Sequence, residues 1–266
     1  MPGRHTVSAG VPVGERAAAP GSETVAAWQQ RLTPTRVWAA LLVIVVSLYV
    51  ALLVDGPAAT WLMREDHPIE MLGALSLLAA SVGCLILWRR VRGNDVRWPR
   101  LRRLSLLALA ALFFFGFGEE LSWGERILGF APPQSLAEIN RQNEANLHNL
   151  DLFSGSLNPD RLFQLFWLVI GVLAPAVSLW RPARLRLQQF MPILPLALAP
   201  LFLLNQALAR GFNELLTRDP DRYQSSVFSP GHAIFETKET VACLLLASAF
   251  FLLTRGWRAE PLPFHK

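Results

Sequence analysis

Three stretches of this chain concentrate groups that can move protons or hold a cation: Glu119, Glu120 and Trp123; Glu144, His148 and Asp151; and His232, Glu236 and Glu239. In a helix the last two sets fall at i, i+4 and i+7, so an imidazole and two carboxylates share one stripe. A His and a Glu four residues apart can ligate one divalent metal, which makes His232 and Glu236, with His148, the expected metal ligands, the metal's identity being open. A carboxyl group held in a low dielectric has its pKa carried toward neutrality, which suits Glu119, Glu120, His148 and Glu239 to general acid–base catalysis. Adjacent glutamates point about 100° apart, so one of Glu119 and Glu120 at most faces a given partner squarely. A structural reading competes: the same groups serve as interhelical ion pairs with Arg126 or Lys238, or favour the positive end of a helix.

The elements that must position these groups are membrane helices. Of 266 residues, 52% are hydrophobic and only 17% charged, against about 25% charged in an average soluble chain; the mean hydropathy is +0.32. Apolar segments at 37–54, 69–88, 104–123, 161–180, 191–210 and 235–254 each approach the roughly 20 residues a spanning helix needs. The expected fold is all-α: an integral membrane bundle of six transmembrane helices over residues 37–258. Two spans reach full length only by including acids, Glu119 and Glu120 in the third, Glu236 and Glu239 in the sixth. Ionisable groups at that depth cost several kcal/mol unless paired, so they mark a functional site by default. Ser229 followed by Pro230 is a strong start signal for the last helix. Pro192, Pro195 and Pro200 interrupt the fifth and free carbonyls that a neighbour must satisfy.

The net charge of +5 does not imply nucleic acid, because the arginines sit where a membrane topology puts them. Arg89 to Arg103 fill the loop after the second span, Arg181, Arg184 and Arg186 the loop after the fourth, and Arg31, Arg36, Arg255 and Arg258 flank the ends. The positive-inside rule then makes both termini cytoplasmic, with residues 1–36 a disordered tail and 259–266 a second one. No apolar h-region near the start implies a cleaved signal peptide, so the first helix is expected to serve as the insertion signal. The expected location is a bacterial inner (plasma) membrane, multi-pass. Cys84 and Cys243 fall inside spans and read as small packing residues.

That topology gathers Glu70, Glu119, Glu120, His148, His232, Glu236 and Glu239 on the external side. Between the third and fourth spans, Leu136, Ile139, Leu147 and Leu150 fall on one side of a helix, which predicts an external amphipathic helix along the membrane surface. The asparagines there offer neutral donors and acceptors for head-group hydroxyls, so Asn146 and Asn149, with Glu70 and Trp123, are the expected substrate-binding residues.

The run Glu119-Glu120-Leu121-Ser122-Trp123-Gly124-Glu125-Arg126-Ile127 followed by Asn146-Leu147-His148-Asn149 resembles an uncharacterised family of bacterial polytopic membrane proteins carrying an EE-x-SWG-x-R-I segment and then N-L-H-N. The resemblance spans residues 119 to 150, with Glu70 an extension, and brings a multi-pass fold but no activity.

The expected function is a hydrolase or transferase acting on a lipid or lipid-linked substrate at the outer leaflet, through a carboxylate and histidine site with or without a divalent metal, and with membrane lipids as partners. Ser122 lacks the G-x-S-x-G surround of a hydrolase nucleophile. Two alternatives stand beside it: a structural or assembly subunit, and a proton- or ion-coupled transporter using Asn205 and Gln206. The inner halves of the third and sixth spans are almost wholly apolar, which favours a one-sided pocket over a transport route.

Overall fold

The structure, a computed structural model, describes residues 33–53, 68–91, 98–141, 143–154, 158–218 and 230–256. The predicted tails, apart from residues 33–36, the loop before Pro68, and Ser229, Trp257 and Arg258 lie outside the described residues. Among the described residues every regular element is helical: α1 (Thr35–Ala51), α2 (Pro68–Arg90), α3 (Pro99–Glu120), α4 (Glu125–Leu128), α5 (Gln134–Ala137), α6 (Pro159–Val177), α7 (Arg181–Phe190), α8 (Ala199–Thr217) and α9 (Pro230–Gly256). Four of them, α2, α3, α6 and α9, are long and apolar enough to cross a bilayer, and α1 is a shorter apolar helix. Each of the four begins at or next to a proline, whose missing N–H costs nothing in the first turn. Asn158 caps α6 by accepting from the N–H groups of Asp160 (2.8 Å) and Arg161 (3.2 Å).

The centre of the bundle is a parallel pair, α2 and α9. Ideal Cβ atoms built on Gly73 and Gly83 would come within 3.0 Å of Thr240 Oγ1 and Phe250 Cβ. The offsets 240 − 73 and 250 − 83 are both 167, so the two helices stay in register for ten residues. Glycine at both points is what lets the backbones approach so closely, and Thr240 Oγ1 donates to Ile69 O at 3.0 Å. α3 runs antiparallel to α2, with Ser81 Oγ donating to Ala110 O (2.8 Å) and Gly116 against Leu77. Phe113, fully buried, meets Phe250 and Phe166 edge-on at centroid distances of 5.4 and 5.9 Å.

α1 and α8 brace the other flank through Tyr49, whose hydroxyl donates to Asn205 Oδ1 at 2.7 Å. The Asn205 amide in turn donates to Lys238 O at 2.9 Å. Three arginine-bearing segments, the ends of α2 and α9 and the start of α3, therefore share one pole of the bundle. There the Arg90 guanidinium donates to Thr254 O, and Arg103 lies 4.7 Å from the Trp88 ring.

Two expected spans change form, for reasons of proline chemistry. In the fifth, residues 191–195 have no helical structure, a 3₁₀ turn follows at Leu196–Leu198, and the helix runs from Ala199 to Thr217. Pro192 and Pro195 cannot donate within a helix; Ile193, Leu194 and Leu198 are instead buried in the bundle. In α6, a π turn at Val169–Leu173 precedes Pro175. That proline removes the N–H that would have bonded the Gly171 carbonyl, and the wider turn is a common accommodation.

Candidate functional site

At the pole opposite the arginines, the end of α3, the starts of α2, α6 and α9, and the segment 138–153 enclose a cavity of about 750 Å³. Among the described residues seven carboxylates line it: Glu70, Glu119, Glu120, Glu144, Asp160, Glu236 and Glu239. Arg141, His148 and His232 also face it, and Leu77, Phe113, Phe163 and Phe166 give it an apolar floor.

The carboxylate of Glu119 is consumed by structure. One oxygen accepts from Trp123 Nε1 (2.7 Å), and the other from the backbone N–H groups of Leu147 (2.6 Å) and His148 (2.8 Å). The same oxygen lies 3.4 Å from His148 Nδ1, and the residue is only 5% exposed. This arrangement requires the chain to turn sharply after α3. Trp123 has φ 56° and Gly124 φ 80°, the left-handed region that glycine enters readily and tryptophan does not. The turn folds the indole back over Gly118, where a Cβ would stand 2.7 Å from the ring. Trp123 also meets Phe115 edge-on at 5.6 Å. It is thus a brace for Glu119 and, unlike the other expected substrate contacts Glu70, Asn146 and Asn149, does not line the cavity.

The segment above the cavity is folded by its own polar side chains. The amphipathic helix predicted here is replaced by the one-turn α5, followed by a compact loop closed by an antiparallel bridge between Asn140 and Leu150. Asn140 Nδ2 donates to Asn146 O (2.7 Å) and Oδ1 (2.9 Å), and Glu144 N donates to Asn140 Oδ1 (3.3 Å). Asparagine side chains compete with helical hydrogen bonds in this way, and the leucine spacing was not enough to outweigh them. Glu144 accepts from Ser122 Oγ (2.5 Å) and Asn146 Nδ2 (2.7 Å). Ser122 is therefore buried in the loop's anchor and does not line the cavity. Glu125 accepts from Ala145 N at 2.7 Å. The i, i+4, i+7 stripe of Glu144, His148 and Asp151 does not form, yet His148 reaches the cavity by another route, through Glu119.

On the opposite wall, α9 carries His232, Glu236 and Glu239 on the expected stripe, and all three line the cavity. His232 Nε2 lies 3.7 Å from Glu236 Oε1. Glu120, Asp160 and Glu239 accept no hydrogen bond from a described residue, and their charges act on one another across the chamber. Lys238 points away: its Nζ donates to Gln164 Oε1 (3.1 Å), whose amide donates to Gln206 Oε1 (3.0 Å), and it sits 4.8 Å from the Phe235 ring.

Burial disfavours the charged form of His148, but its hydrogen bond to Glu119 and the charges of Glu120, Glu119 and Asp160 outweigh that and raise its pKa above the ordinary 6.5. With Nδ1 turned to Glu119, its Nε2 is the ring nitrogen left for other contacts. Asp160 was missed in sequence: a single Asp after Asn158-Pro159 reads as ordinary first-turn chemistry, and only the fold brings it opposite Glu120. Among the described residues no group of three or more His, Cys, Asp or Glu side chains is arranged to hold a metal ion. No family model, no curated protein and no solved structure matches this chain.

Proposed function

We propose that the protein is a membrane-embedded hydrolase or transferase acting on a lipid or lipid-linked substrate at the outer leaflet. One observation carries this reading: an imidazole anchored through Nδ1 on a fully engaged carboxylate shares a partly apolar chamber with Glu120, Asp160 and Glu239, whose carboxylates receive no hydrogen bond from a described residue. His148, its proton favoured by the surrounding charge, protonates the leaving group. Glu120 or Glu239 takes the proton from water, or from an acceptor hydroxyl, as the oxygen attacks, and the bond to the leaving group breaks. Asn149 and Glu70 hold the head group, Asn146 being committed to the loop's own hydrogen bonds, and the phenylalanine floor receives the start of the chain. The excess of carboxylates over cations favours a head group rich in hydroxyl or ammonium donors and disfavours an exposed phosphate monoester.

The membrane placement belongs to the same proposal. It comprises six crossings, α1 and the segment 191–217 included, with arginine ends and both termini on the cytoplasmic side of a bacterial inner membrane, supported by the positive-inside rule. A divalent cation enters only as a partner of His232 and Glu236, and the reaction as written does not depend on it. The reading is tested with purified protein in vesicles containing hydroxylic and amine-bearing lipids, by mass spectrometry of the lipid products. Turnover that disappears in Glu120→Gln and His148→Ala supports it; absence of turnover across both lipid classes, or turnover unchanged by both variants, refutes it.

A further inference from the structure

The chamber opens sideways as well as upward. A residue in a bundle ordinarily faces either a cavity or the surroundings, and one that does both stands at an opening. Leu112 and Phe115 on α3 and Leu162 on α6 line the cavity and are also 49%, 41% and 52% exposed. They belong to two of the helices that are long and apolar enough to cross a bilayer, so what they are exposed to there is hydrocarbon. Phe166 lies one turn below Leu162 on α6, and its edge-on contact with Phe113 closes α3 against α6 at the level of Leu112, which confines the gap to the outer half. Leu112 lies eight residues before Glu120, about 12 Å along the helix.

The geometry points to a lateral portal between α3 and α6, through which an amphiphile slides from the outer leaflet with its head among the carboxylates and its acyl chain across Leu112, Phe115 and Leu162. The occupant is a membrane lipid chain because the gap is apolar on both sides and continuous with the lipid-facing surface of both helices. The portal rests on the outer-leaflet reading of the same chamber, and adds the route of entry and the residues that select for a chain.

The probe is a monoacylglycerol with a diazirine midway along its chain, photolysed in vesicles containing the full-length protein, with adducts mapped by mass spectrometry. Adducts at Leu112, Phe115 and Leu162 are expected about fivefold above those at Leu104 and Leu203, equally lipid-facing leucines away from the cavity; fivefold is what one retained head-group hydrogen bond gives. Leu112→Trp and Leu162→Trp should remove the enrichment while Leu203→Trp leaves it. If either tryptophan variant fails to elute as a single species, Leu112→Phe and Leu162→Phe take its place. Uniform labelling of all lipid-facing leucines, or enrichment that survives both blocking variants, overturns the portal. Enrichment without any lipid turnover keeps the portal and removes the enzymatic reading; turnover without enrichment does the reverse.

Discussion

The two walls of the chamber hold the same kind of side chain in opposite circumstances. On the α3 and loop wall, Glu119 and Glu144 are matched to donors: an indole, backbone amides, a serine and an asparagine. Among the described residues none donates to the carboxylates of Asp160 and Glu239 on the facing wall, and Glu120, one residue beyond Glu119, sides with them. A carboxylate with its lone pairs filled fixes a loop. One left open keeps its capacity for a proton or a ligand. Acidity alone therefore says little about role, and the distribution of donors says most of it.

Swapping the roles is the strongest test of that division. In the lipid assay, Glu120→Gln and Glu239→Gln should each lower turnover by about a hundredfold or more, the span of general acid–base contributions, with thermal unfolding in detergent unchanged. Glu119→Gln should instead cost roughly 3 kcal/mol of stability, since its amide meets three N–H donors with one oxygen and leaves buried groups unmet; faster proteolysis within 138–153 would accompany it. A stable but inactive Glu119→Gln would place that residue among the chemical groups and erase the distinction between the walls. Gly118→Ala sharpens the point at smaller scale: a methyl group 2.7 Å from the Trp123 ring must push the indole off Glu119, with an expected loss of about 1–3 kcal/mol.

The mildest effect is in pH. His148 has a folded pKa raised above 6.5, so its imidazolium stabilises the fold fully below about 6.5, and that contribution fades as pH climbs through the raised value. The melting temperature of the wild type minus that of His148→Gln, measured in detergent between about pH 5.5 and pH 9, should be largest at the acid end and shrink steadily. A gap that widens with pH would mean that the neutral imidazole is the form the loop prefers.

Apolar run length made α2, α3, α6 and α9 legible in the sequence to within about five residues, with Pro230 adding a start signal for the last, because hydrocarbon thickness imposes a length that no local preference overrides. The meeting of the α3 and α9 acids at one pole was legible for a related reason: arginines report orientation, and alternation carries it along the chain. The roles of Glu119 and Glu120 were not. Helical phase separates them, but what decides is where the amides of Leu147 and His148 arrive, and that depends on a loop folded by Asn140 and Asn146. The start of the fifth expected segment changed form where Pro192 and Pro195 competed with hydropathy, and the regular helix begins only at Ala199.

The in-register pairing of α2 with α9 has a consequence for how the molecule is made. Gly73 and Thr240 lie 167 residues apart in sequence, so the partner of the second helix leaves the ribosome long after the helix itself has been inserted. Until then its glycine face has only lipid or a temporary neighbour against it, and the acids of α3 have no opposing wall. Long-range contacts of this kind form late and leave exposed intermediates. A polypeptide stalled before its final hydrophobic segment would display an unsealed acidic cleft, the kind of defect by which surveillance proteases recognise unfinished membrane proteins.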